Sequence, residues 1–182
     1  MICSDHELLA AHLAGDERAF PELVERQRGR LWTIARGALN SPEDAAEAVQ
    51  DALVRAHQGA ARFRGESSVA TWLVRILVNV CMDRRRHNRV RAVTPIPMER
   101  FEELPSPRDP IGEVETRMDV WAAMDELPPE QRLPIIMVEI DGYSVGEAAR
   151  ILGVPVGTVK SRCSRGRARL HALLVEVPEV VR

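Results

Sequence analysis

Little in this 182-residue chain suits chemistry on a bound substrate. Its three cysteines, Cys3, Cys81 and Cys163, form no CxxC and no metal-ligand spacing. Cys81 and Cys163 fall inside helical patterns, where a thiol acts as a small core residue, and a redox role is the minor alternative. His6, His12, His57, His87 and His171 are scattered without ligand spacing to nearby acids. There is no phosphate-cradling loop and no nucleophile motif, so no catalytic residue, metal, cofactor or small-molecule substrate is expected, and an enzyme is the least favoured class. No apolar run is long enough to span a bilayer. The start, MICSDHELLAAHLAGD, lacks the basic flank and apolar run of a leader, so the expected location is cytoplasmic. Aromatics make up only 4% of the chain, and the net charge of −2 advertises no nucleic-acid binder by itself.

What is present is helix-forming: 45% apolar residues, rich in Ala, Leu and Val, alongside many arginines. Charge position says more than the total. Arg84, Arg85, Arg86, Arg89 and Arg91 form one cationic cluster, and Lys160 to Arg169 form another. The stretch between them carries Glu99, Glu102, Glu103, Asp109, Glu113 and Glu115, with Pro95, Pro97, Pro105, Pro107 and Pro110 and no sustained period. The expected architecture is therefore all-α: two small helical domains, residues 1–92 and 113–175, joined by a flexible acidic linker at 93–112, with a tail at 176–182. The pattern predicts helices over Asp5 to Leu13, Glu17 to Leu39, 42 to Gly59 and Val69 to Arg91. Further helices are expected over Ile111 to Glu126 and Glu130 to Ile140, with Pro134 acceptable only in the first turn of the latter. Ser41 before Pro42, with Glu43 and Asp44 in the first turn, reads as a helix start.

The most informative segment is Tyr143 to Leu170. Ser144 followed by Glu147 is a capping-box signature. Gly153 suits the left-handed stop of a first helix, and Pro155 fits the first turn of a second. On the second helix Val159, Cys163, Gly166, Leu170 and Leu174 share one face, expected to be core. Gly157, Ser161, Ser164 and Arg165 point away from it, flanked by Lys160, Arg162, Arg167 and Arg169. This is the pattern of a helix-turn-helix whose second helix lies in a DNA major groove, with outward residues on base edges and flanking cations on phosphates. The bland alternative is a solvated basic helix on a protein-binding module.

From Asp5 to Leu174 the order of motifs resembles the extracytoplasmic-function sigma factors of bacterial transcription. The carrying segments are SPEDAAEAVQDALVRAH, TWLVRILVNVCMDRRR and MDELPPEQRLPIIMVEIDGYSVGEAARILGVPVGTVKSRCSRGRARL. The resemblance implies no catalysis of its own, with RNA polymerase core (its beta-prime clamp and beta flap) and promoter DNA, both duplex and single-stranded, as partners. It implies that Gly157, Thr158, Lys160, Ser161, Arg162, Ser164, Arg165, Arg167 and Arg169 serve the minus-thirty-five element. Glu43, Asp44, Glu47, Gln50 and Asp51 would grip the polymerase clamp. Arg62, Phe63, Arg64, Trp72, Asn79, Arg84 and Arg85 would serve the opened minus-ten element, where an extruded base is captured and the released strand is held. Silencing by an anti-sigma factor is a further implication. Val69 stands where many members carry an aromatic residue, and Pro155 where a polar cap is common. The competing reading is a stand-alone helix-turn-helix regulator, whose first domain would sense or dimerise.

Overall fold

A computed structural model of the chain describes residues 4–91 and 120–175, and among these there are helices and no strands. The expected linker at 93–112, the tail at 176–182 and Cys3 lie outside the described residues. α1 spans Asp5–Leu13, started by a capping box between Ser4 and Glu7. α2 spans Ala19–Ala38 and buries Phe20, Leu23, Leu31 and Ile34. α3, Pro42–Gly59, starts at Ser41, whose hydroxyl accepts from the Asp44 amide, with Pro42 at the first helical position. A 3₁₀ turn, Ala60–Arg62, leads by a polar loop to α4, Val69–Arg91. Ser68 caps α4, its hydroxyl accepting from the Thr71 amide at 3.1 Å, a cap the sequence reading did not identify.

α4 is the centre of the first half. It buries Leu73, Val74, Leu77, Val78, Val80 and Cys81, too many for a single stripe, because α2 and α3 pack on different sides of it. α3 meets it with small residues, Ala45, Ala48, Ala52 and Ala56, all buried, which lets the two backbones approach closely.

In the second half residues 120–125 are helical (α5), followed by α6, Pro129–Ile135. Pro134 sits in the penultimate position of α6, beyond the first turn expected of it. It has no N–H to donate and crowds the preceding turn, and the chain winds on as a π turn, Ile136–Ile140, with the Asp141 amide reaching back to the Ile136 carbonyl at 2.9 Å. α7, Val145–Leu152, and α8, Val156–Val175, follow. Gly166 lies against Ile135 and Gln131, so α6 and α8 meet at a point where any larger residue would displace the Ile135 side chain.

The sequence pointed to two bodies with little between them, but the described halves share one apolar core in this structure. Gly37 of α2 faces Ile136 and Leu133. Arg132, with no exposed surface, donates from Nε to the Gly37 carbonyl (3.2 Å) and from Nη2 to the Leu39 carbonyl (3.0 Å) and Asn40 Oδ1 (2.8 Å). Its Nη1 bonds Asp125 at 2.5 Å. One side chain thus satisfies carbonyls left open at the end of α2 while tying α5 and α6 to it. A second clasp lies nearby: Arg30 of α2 donates to the Asp141 carbonyl at 3.0 Å and stacks over the Tyr143 ring, 4.9 Å from its centre.

Candidate functional site

The helix-turn-helix forms as its signals predict. The Ser144 hydroxyl accepts from the Glu147 amide, and the Glu147 carboxylate accepts from the Ser144 amide at 2.9 Å and its hydroxyl at 2.7 Å. These bonds hold the Glu147 carboxyl below its usual range. Gly153 takes φ 65°, the left-handed stop. Pro155 precedes α8, its carbonyl accepting from the Thr158 and Val159 amides, so it caps the helix instead of opening its first turn.

On α8 the buried stripe is Val159, Cys163 and Gly166, continued by half-buried Leu170 and Leu173. Leu174, expected in the core, is 41% exposed, since the 3.6-residue period carries the stripe to Leu173 by that point. Gly157, Lys160, Ser161, Ser164, Arg165, Arg167 and Arg169 are exposed, whereas Thr158 and Arg162 are half-buried. Arg165 Nε donates to the Ser161 carbonyl and Arg167 pairs with Glu139 at 3.1 Å. Arg162 departs from its flanking neighbours: it turns toward the first half and lines a groove with Asn79, Met82, Arg85 and Glu130.

The expected minus-ten residues do not form one surface. Arg62 and Arg64 are exposed around Phe63, which packs on Trp72 with ring centres 5.3 Å apart. Val69, where an aromatic residue was the commoner choice, is buried beneath this loop's end. Asn79 is exposed on the groove. Arg85 pairs there with Glu130 at 3.2 Å, across the two halves.

Arg84 faces the other way, onto α3. Its guanidinium donates to Glu47 and Asp51, both at 2.7 Å, and stands 3.9 Å from Asp44. The bonds to Asp51 and then Glu47 raise its pKa further above its ordinary value. The expected polymerase-contacting residues Glu43, Glu47, Gln50 and Asp51 are exposed on one face of α3, with Asp44 half-buried beside them. The Ser41 hydroxyl donates to Glu43 at 2.6 Å and holds that carboxyl below the usual range. Val54, 56% exposed, adds an apolar surface to the same helix that the sequence reading passed over. Arg132, which closes the ELP-x-x-x-R start of the second-half segment, and Asn88 were given no role of their own, because the partners that decide those roles, at the end of α2 and on α3, are far away in the chain.

Cys81 is buried, which pushes its thiol up to about 12, and burial raises Cys163 too. No group of three or more His, Cys, Asp or Glu residues among the described residues is arranged to hold a metal ion. No described helix is long and apolar enough to cross a membrane.

An all-helical pair of domains, the second ending in a basic helix-turn-helix, defines a class of transcription factor, and comparison with known proteins specifies it. Residues 23–91 match the family described as Sigma-70 region 2, and residues 117–170 match Sigma-70, region 4. The ECF RNA polymerase sigma factor SigM of Mycobacterium tuberculosis is 46% identical over 171 residues, covering 94% of this chain and 85% of the relative. The ECF RNA polymerase sigma-E factor of Escherichia coli K12 is 33% identical over 174 residues, covering 90% and 91%. Among solved structures, the sigma factor RpoE of Bartonella quintana, in complex with the anti-sigma factor NepR, gives a TM-score of 0.68 at 29% identity, covering 87% of this chain and 98% of that one. CnrH in complex with the cytosolic domain of CnrY gives 0.65 at 29% identity, covering 95% and 98%. The chain belongs to the extracytoplasmic-function sigma factors of RNA polymerase.

Proposed function

We propose that this protein binds RNA polymerase core, directs it to a two-part promoter and promotes strand opening, without chemistry of its own. One observation carries the reading: region 2 and region 4 occur in order on one chain, the first presenting an exposed acidic helix face and the second an exposed basic recognition helix. A stand-alone regulator would use only the second. The protein acts in the cytoplasm, where core polymerase is found.

In this proposal α8 enters the major groove at the minus-thirty-five element, with Gly157, Ser161, Ser164 and Arg165 toward base edges and Lys160, Arg167 and Arg169 on phosphates. Thr158 and Arg162, at the margin of that face, complete the contact once the groove toward the first half opens. Arg62, Phe63 and Arg64, with Trp72 behind them, receive an extruded base of the minus-ten element. Asn79 and Arg85 hold the strand beside it. Glu43, Asp44, Glu47, Gln50 and Asp51 meet the polymerase clamp.

The two promoter elements lie about 25 base pairs apart, roughly 80 Å at the rise of duplex DNA. A chain whose halves share a buried core cannot touch both, so the Arg132 and Arg30 clasps release when promoter is bound. The closed arrangement covers Arg85 and Arg162, which suits a resting state that an anti-sigma factor holds.

The test is transcription with purified core and this protein on templates carrying candidate promoters. Promoter-dependent initiation is expected, and its absence with active core rejects the reading. Binding to a symmetric duplex operator as a dimer, without core, would favour the stand-alone regulator.

A further inference from the structure

Five arginines close together at the end of α4 read, in sequence, as a single phosphate-binding cluster. Three-dimensional placement separates the first three, Arg84, Arg85 and Arg86. Arg85 turns into the groove between the halves, Arg86 pairs with Asp83 of its own helix, and Arg84 turns onto α3. The α3 carboxylates that Arg84 meets, Asp44, Glu47 and Asp51, recur at three and four residues and so stack along one face. Three like charges at that spacing repel one another. Arg84 answers them with a fork: Nη1 bonds Glu47 Oε2 and Nη2 bonds Asp51 Oδ2, one oxygen of each. Asn88, one turn further along α4, donates to Asp44 Oδ2 at 3.0 Å. Arg84 itself is only 23% exposed, while Glu47 and Asp51 remain 65% and 52% exposed. The cation is tucked beneath and the carboxylates are presented outward.

We propose that Arg84, assisted by Asn88, is a positioning residue for polymerase binding and not a contact to promoter phosphates. It acts through Glu47 and Asp51, fixing their rotamers before the partner arrives. A cationic partner surface then meets carboxylates that need little further ordering, which lowers the entropic cost of binding. The planar guanidinium matters here, because lysine carries a point charge and cannot bond two carboxylates in a fixed fork. The inference rests on α3 being the polymerase-facing helix, as proposed above.

The experiment uses the full chain, a fluorescent label and purified core polymerase. Arg84→Ala is expected to weaken core binding by about tenfold, and Arg84→Lys by about threefold, as fits the loss of two or one charge-assisted bonds. Asp51→Asn is expected to cost less in the Arg84→Ala background than alone, because the two changes act through one network. With core in saturating excess, promoter opening and binding to a minus-thirty-five duplex are expected to stay within about twofold of the parent. Core affinity unchanged in Arg84→Ala, or opening lost at saturation, overturns the proposal and returns Arg84 to the DNA. Equal losses in Arg84→Lys and Arg84→Ala overturn the fork. If Arg84→Ala does not fold, Asn88→Ala, which frees only Asp44, is expected to lose about twofold in core affinity with an unchanged melting temperature; no loss there overturns the assisted network. An unmodified chain that fails to bind core overturns the functional reading itself, whereas normal parent binding with unaffected variants overturns only this inference.

Discussion

Replacing Arg132 by methionine keeps the volume of a fully buried side chain and removes every hydrogen bond it makes. Three of those bonds cross from α6 to the end of α2, at 3.2, 3.0 and 2.8 Å, and a fourth reaches Asp125 at 2.5 Å. The carbonyls of Gly37 and Leu39 lose a donor in a place where water has no easy access, at about 1–3 kcal/mol each. Part of this is offset, because the buried guanidinium is itself costly: desolvation, ahead of the opposing pull of Asp125, lowers its pKa. With Asp125 left exposed and two carbonyls left without a donor, the net loss expected is about 2–4 kcal/mol. In a protein of this size that lowers the melting temperature by about 4–16 °C. Calorimetry reads the loss, and small-angle scattering reads its location, since the radius of gyration is expected to grow as the halves part. Arg36→Ala is the control: Arg36 also meets Asp125, at 2.7 Å, but that carboxylate is well exposed, so about 1 kcal/mol or less is expected. A melting shift under about 2 °C with unchanged dimensions would refute the idea that Arg132 holds the halves together.

Other outcomes follow from the same geometry. Arg165→Ala is expected to cost about 1–3 kcal/mol in minus-thirty-five binding and to relax base preference, whereas Lys160→Ala weakens all sequences alike and lowers the salt dependence by about one counterion; footprinting across a salt series separates the two. Ser144→Ala is expected to destabilise the helix-turn-helix by about 1 kcal/mol through loss of its cap, measured by denaturant unfolding. Because the Glu147 carboxyl is lowered, its contribution is present above the ordinary carboxylate range and is lost as pH falls through the lowered value; the protection factor of the Ser144 amide, measured relative to its intrinsic exchange rate at each pH, is expected to fall there, and Glu147→Gln abolishes that acid dependence. Cys81, with its thiol near 12, is expected to resist thiol reagents at pH 8 in the native protein and to react once unfolded. Its raised value adds a stabilising contribution present below pH 9 and lost as pH rises from about 9 toward 12.

Several helix starts and stops were readable because their causes are local, although the equally local Ser68 cap was passed over. Ser41 with Pro42, Ser144 with Glu147, and Gly153 each satisfy or release backbone groups within four residues of themselves, so a linear reading finds them. The outward basic face of α8 was legible for the same reason, as a periodicity. That periodicity ran one residue astray only at Leu174, where a small error in phase had accumulated over four turns.

Which arginine serves which purpose was not local. Arg84, Arg85 and Arg86 are adjacent in the chain and point about 100° apart on α4, so each meets a different neighbour: α3, α6 and its own helix. Arg132 finds three of its four partners more than ninety residues away, at the end of α2. A sequence specifies how many cations a helix carries and on which side. Only the packing of that helix against others decides whether a given cation meets water, a carbonyl or a carboxylate, because electrostatic and hydrogen-bond energies depend on distances that chain order does not contain.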